Sequence, residues 1–276
     1  MKKYILIIAF GLIIQNTILS QSCMPDGVTL STQSEIDNFS VNYPNCTEIE
    51  GFLLINGTDI TNLLGLEVIN SVGGDLFIGD LYEGCPILTS LKGLNNINSI
   101  GSNITINHCA ELFSLSGLEN VIYFNGTIIL AYNSKLVSLY GLGNITHINR
   151  LVLLENVGLV SLLGLENIET IDSDLTIHYN YSLANIKALS NLIYVGGNIK
   201  FESNTNLSSL YGLENIDSGT ITKLTIANNN SLTTCEVESV CNYLASPNSD
   251  VTINNNKTGC NSQEEVEEAC ISSNSK

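Results

Sequence analysis

The segment Leu88-Thr-Ser-Leu-Lys-Gly-Leu94 returns, slightly altered, along most of the chain. Further copies are Leu112-Phe-Ser-Leu-Ser-Gly-Leu118, Leu136-Val-Ser-Leu-Tyr-Gly-Leu142, Leu159-Val-Ser-Leu-Leu-Gly-Leu165, Leu183-Ala-Asn-Ile-Lys-Ala-Leu189 and Leu207-Ser-Ser-Leu-Tyr-Gly-Leu213. Their starts lie 24, 24, 23, 24 and 24 residues apart. An earlier copy, Ile60 to Leu66, begins 28 residues before Leu88, with extra residues around Gly79–Gly84, and a degenerate copy begins at Leu232. A single unit of this size cannot bury its own apolar side chains. Stacked neighbours bury them for each other, so a fixed period points to a repeat architecture.

Each unit reads L-x-S-L-x-G-L-E-N-I, then an apolar residue three later, then L-x-I and Asn. In one unit the apolar positions are Leu159, Leu162, Leu165, Ile168, Ile171, Leu175 and Ile177. The last pair alternates in-out-in, as a half-buried strand does. The others recur every three residues, which fits short extended pieces joined by bends. The repeated Gly, Asn, Thr and β-branched residues speak against a helix. Pro25, Pro44, Pro86 and Pro247 all fall outside the regular units, as stacked strands require. The expected fold is mainly β: a right-handed parallel β-helix, or leucine-rich-repeat-like solenoid, of about eight coils with short capping helices.

Asn133, Asn156, Asn180, Asn204 and Asn229 share one phase, each three residues before the next leucine. Asn96, Asn120, Asn144, Asn167, Asn191 and Asn215 share another. Asparagine tolerates bent backbone and bonds a stacked neighbour, so both columns are expected to be structural. The same holds for Ser90, Ser114, Ser138, Ser161 and Ser209, because a residue present in every coil is no catalyst. Cys85 and Cys109 occupy the first asparagine phase in adjacent units. Stacking would bring their Cα atoms to about 5 Å, which predicts a Cys85–Cys109 disulfide.

The chain begins with Lys2 and Lys3, an apolar run from Tyr4 to Ile14, and then more polar residues up to Ser20. This reads as a secretory signal peptide over residues 1–20, too short to span a bilayer. Lipidation at Cys23 would favour an aliphatic residue three positions earlier, where Ser20 stands. No later run is long enough for a membrane helix. The expected location is extracellular or periplasmic, and eight cysteines in an exported chain suggest disulfides. The net charge of −17, with ten basic residues against 27 acidic ones, excludes nucleic acid and anionic membrane surfaces as partners.

Residues 21–59 are assigned to an N-terminal cap and first coil, 60–231 to the repeats, and 232–276 to a C-terminal cap. Thr32-Gln33-Ser34-Glu35 is a capping box that predicts a helix of roughly ten residues ending near Pro44. Cys23 and Cys46 bracket it and form an expected pair. At the other end, helices over Glu236–Ala245 and Ser262–Cys270 flank a last strand, Val251–Ile253. Of three possible connectivities there, Cys235–Cys260 and Cys241–Cys270 suit a stacked coil with a helix packed across it.

The segments Cys23, Leu30-Ser-Thr-Gln-Ser-Glu-Ile36, Tyr43-Pro-Asn-Cys46 and Gly51-Phe-Leu-Leu-Ile55 together resemble the start of a receptor L-domain. These are the leucine-rich ligand-binding domains of the insulin and epidermal growth factor receptors. The L-x-S-L-x-G-L-E-N-I units resemble the same domain in secreted bacterial proteins. The likeness covers essentially the whole mature chain and implies a fold and a binding habit rather than a ligand.

Chemistry is sparse. His108, His147 and His178 fall at different phases, Glu169, Asp172 and Asp174 lack a calcium-loop pattern, and no catalytic motif is present. Catalytic residues, metal and cofactor are therefore all assigned as none. Recognition of an extracellular protein or glycan is the preferred function, a structural or adhesive envelope component the second, and a β-helical polysaccharide-active enzyme the third. On the outward face of the L-x-I strands, Ile129, Val152 and Leu154 form an apolar group with Tyr132, His178 and Tyr179 beside it, the expected ligand-binding patch. Phe113, Val137, Val160 and Tyr140 form a competing patch on the L-x-S-L segment.

Overall fold

The in-out-in triplets are strands, and each pairs in parallel with the same triplet of the next unit. A computed structural model describes residues 21–273 apart from 81, 83 and 248. The segment 1–20 assigned to a signal peptide lies outside the described residues. Ten strands form one parallel sheet: Val28–Leu30, Leu53–Ile55, Leu76–Ile78, Ile104–Asn107, Thr127–Ala131, Arg150–Leu154, Leu175–His178, Asn198–Glu202, Lys223–Ala227 and Val251–Asn254, in that spatial order. The register is constant where the period is constant. Leu151 faces Ile128 and Leu175, and Leu153 faces Leu130 and Ile177. These side chains are fully buried, whereas the intervening Val152 is only half-buried. Slipping one strand by a single residue would turn its leucines outward, so burial fixes the register.

Two narrow parallel sheets accompany it. One joins Gln21–Cys23, Cys46–Ile49, Ser71–Val72 and Ser99–Ile100, and the other His147–Ile148, Thr170–Ile171 and Tyr194–Val195. Between them and the main sheet runs L-x-S-L-x-G-L-x-N-I, whose three-residue spacing is a series of tight turns. In one unit Leu136 N–H donates to Asn133 O at 3.1 Å, Leu142 to Leu139 at 3.2 Å and Ile145 to Leu142 at 3.0 Å. Each turn returns an apolar residue to the interior. The glycine of this segment has a specific reason to be glycine. Gly164 sits at φ +112°, and a Cβ there would lie 2.2 Å from Leu139 O of the preceding unit.

The first asparagine column is a ladder. Asn156 Nδ2 donates to Leu130 O at 2.8 Å, while its Oδ1 accepts from Asn133 N–H at 3.2 Å. Asn133, Asn180, Asn204 and Asn229 repeat the pattern onto Ile106, Leu153, Ile177 and Phe201 carbonyls, and all five are fully buried. The second column is a ladder on the surface. Asn144 Nδ2, for example, reaches Glu119 O at 2.5 Å and Asn167 Nδ2 reaches Gly143 O at 2.7 Å.

The expected Cys85–Cys109 bridge is absent: both are buried free thiols. They occupy the asparagine phase and take over the asparagine hydrogen bonds. Cys85 Sγ lies 3.4 Å from Ile55 O and receives the Gly57 N–H. Cys109 Sγ lies 3.7 Å from Ile78 O and receives the Cys85 N–H, and Cys109 N–H continues the ladder to Asn133 Oδ1 at 3.0 Å. Each sulfur is aimed at the carbonyl of the preceding strand, where an asparagine amide would point.

The caps carry three disulfides, Cys23–Cys46, Cys235–Cys260 and Cys241–Cys270, with Cα separations of 5.6, 5.8 and 5.7 Å. Thr32 and Glu35 form the capping box, and the helix it opens is broken at Asn38 into Gln33–Asp37 and Phe39–Asn42. The C-terminal cap consists of the helix Glu238–Leu244, the last strand of the main sheet, and the helix Gln263–Ser273. No helix among the described residues is long and apolar enough to cross a membrane.

Candidate functional site

The strand register places the sequence-derived patch on adjacent rungs of the main sheet. Val152 lies between Ile129 and Thr176, and Leu154 lies between Ala131 and His178. All of Ile129, Val152, Leu154 and His178 are half-buried, because each shields part of its neighbour in the same row. Tyr132 and Tyr179 fall immediately after their strands, at left-handed corners with φ of 59° and 58°. Glu155 occupies the same corner between them, at φ 53°. The two tyrosines therefore do not form one rim. Tyr132 stacks on His108 at 4.6 Å, and Tyr179 stacks on His178 at 3.7 Å and meets Tyr181 edge-on at 6.1 Å.

Electrostatics at this end of the sheet follow from burial. Burial holds the His178 imidazole below its ordinary pKa; the Glu202 carboxylate, 3.5 Å from Nε2, opposes this, and the Lys200 ammonium reinforces it. Lys200 donates to Glu202 at 2.5 Å and keeps that carboxyl below its usual range. His178 Nε2 itself makes no hydrogen bond. The histidines do not converge: His147 Nε2 pairs with Asp172 at 3.0 Å on a narrow sheet, and His108 Nδ1 meets Asp80 O at 2.9 Å. Among the described residues no group of three His, Cys, Asp or Glu is arranged to hold a metal ion.

Two features escape a reading of the sequence. Basic residues look scattered along the chain, yet Arg150 and Lys223 open their strands and Lys200 holds the outward middle position of its own, around a trough completed by Asp174, Thr176 and Asn198. Arg150 pairs with Asp174 at 3.2 Å and Lys223 with Asp250 at 3.1 Å, so each charge is answered locally. The signal was available in two columns read down the units: the residue preceding each L-x-I triplet for Arg150 and Lys223, and its middle residue for Lys200. The second feature is the extent of the competing patch. Val137 N–H donates to Phe113 O at 3.2 Å and Val160 N–H to Val137 O at 3.1 Å, which stacks those three. Beside them Tyr140 and Leu163 are each about half exposed, more than the apolar residues of the main sheet.

No family model, curated protein or solved structure matches this chain.

Proposed function

We propose that the mature chain is an exported recognition module, a right-handed β-solenoid of about eight coils, that binds a protein or glycan on the outward face of its ten-stranded sheet and catalyses nothing. One observation carries the reading: the two faces of the same strands follow different rules. Inward positions repeat, with Ile128, Leu151, Leu175, Ile199 and Leu224 in one row. Outward positions do not, running Thr105, Ile129, Val152, Thr176, Lys200 and Thr225 in the adjacent row. A scaffold has no use for a unique sequence on its solvent face, whereas a binding face needs one. The three cap disulfides support an oxidising compartment. The resemblance to receptor L-domains supports a binding role. A structural or adhesive envelope role draws on the two asparagine ladders, which are uniform along the units. The deciding experiment captures partners from medium and envelope fractions with the mature chain and with a Val152→Asp/Leu154→Asp variant. Loss of a specific partner in the variant supports recognition on this face.

A further inference from the structure

The residue two places after the repeat glycine alternates in charge along the chain. It is Glu67, Asn95, Glu119, Gly143, Glu166, Ser190 and Glu214 in successive units. Parallel neighbours are about 4.8 Å apart, so acids on adjacent units would repel, and every second position is neutral. The side chain has a task. Glu119 Oε2 accepts the Gly117 N–H at 2.7 Å, Glu166 Oε2 accepts that of Gly164 at 2.8 Å, and Glu214 Oε2 that of Gly212 at 2.7 Å. Asn95 Oδ1 does the same for Gly93 at 3.1 Å.

Gly143 has no side chain to do it. Gly141 is buried, and its N–H has no acceptor among the described residues, although its backbone matches the others at φ +121°. A Cβ built on Gly143 meets nothing within 4 Å. The missing side chain leaves a notch of about 350 Å³ bordered by Glu119, Tyr140, Gly141, Leu163 and Glu166.

We propose that this notch binds one hexopyranose ring of a neutral glycan, a site separate from the ten-stranded sheet and independent of the reading given for it. The Gly141 N–H calls for an acceptor oxygen. An anion meets that demand but would sit between two carboxylates. A cation suits the carboxylates but faces the N–H. A sugar hydroxyl does both, accepting from Gly141 and donating to a glutamate. Glu119 and Glu166 each commit only Oε2 to a glycine, which leaves Oε1 of each for this purpose. The exposed Tyr140 ring and Leu163 offer an apolar wall for the C–H face of the ring, with Tyr140 53 % and Leu163 50 % exposed. The notch is also larger than a single side-chain amide fills, which favours a ring over a peptide Asn or Gln.

The test is amide NMR of the mature chain with cello-, laminari-, malto-, manno- and chito-hexaose, and with polygalacturonate as the anionic counterpart. At least one neutral hexaose should shift the Gly141 amide, and Tyr140→Ala should weaken that binding at least tenfold. Gly143→Asn gives Gly141 the acceptor that Asn95 gives Gly93. It should abolish binding while melting stays equal or rises. The proposal is overturned if no neutral hexaose moves Gly141, if polygalacturonate alone does, or if Gly143→Asn folds and binds as before. Tyr140→Ala decides alone if Gly143→Asn does not fold. The Val152→Asp/Leu154→Asp variant should bind the hexaose unchanged, so the two sites fail separately.

Discussion

Asn180 holds Asn156 through a single oxygen: its Oδ1 accepts the Asn156 backbone N–H at 3.1 Å and faces Asn156 Nδ2 at 3.4 Å. The unit is thereby tied to its neighbour at a fully buried corner where no water is available to substitute. Asn156→Leu keeps the volume and removes both ends of the next link. The Asn133 N–H is left unpaired, and the Leu130 carbonyl keeps only its bond within the sheet. The variant should lose about 1–3 kcal/mol of unfolding free energy, the cost of one orphaned buried group. A urea midpoint equal to wild type would show that the ladder contributes nothing to stability.

The two buried thiols make a chemical prediction. A hydrogen bond from Cys109 draws the Cys85 thiol below its ordinary pKa. The same bond, with burial, pushes Cys109 well above the ordinary value. Reaction needs both thiolate and access, and neither sulfur is accessible. Iodoacetamide should therefore add nothing to the native, unreduced chain and two adducts after unfolding in guanidinium. Absence of adducts in the unfolded chain would mean that the pair is bridged.

His178 gives a pH dependence of stated sign. Its folded pKa lies below the unfolded value of roughly 6.5, so the folded state prefers the neutral ring. The stabilisation is complete above the unfolded pKa and is lost as pH falls through the folded one. Lowering the pH from 7.5 to 5.5 should lower the melting temperature, and His178→Gln should flatten that slope. The Glu202 carboxyl, whose pKa is depressed chiefly by the Lys200 hydrogen bond, contributes in the same direction but only at lower pH. An unchanged slope in His178→Gln would place the titrating group elsewhere.

The strands, both asparagine phases and the cap pairings were legible because each follows from a period or a spacing within one unit. What escaped depended on comparing units column by column. The Arg150, Lys200 and Lys223 group is invisible along the chain and plain across it, since stacking converts a separation of one period into one strand spacing. Gly143 reads as one glycine in a glycine-containing motif until it is set in its own column of acids and neutral residues. The cysteine expectation failed for a different reason. Phase correctly made Cys85 and Cys109 neighbours, but the shared corner aims each sulfur at a carbonyl of the preceding strand. The helix break at Asn38 is likewise local chemistry: its Nδ2 donates to Ser34 O at 2.8 Å and competes with helix propagation.

Recognition on the outward face of the main sheet is tested most directly at Val152 and Leu154. Both are half-buried on the outward face, and the inward packing of Leu151 and Leu153 is untouched by changing them. The measurement pairs the melting temperature of Val152→Asp/Leu154→Asp with its capture of a partner held by the wild-type chain over residues 21–276. The account predicts a melting temperature within a few degrees of wild type, as surface substitutions usually give, and loss of that partner. Capture at wild-type strength by the folded variant would contradict it.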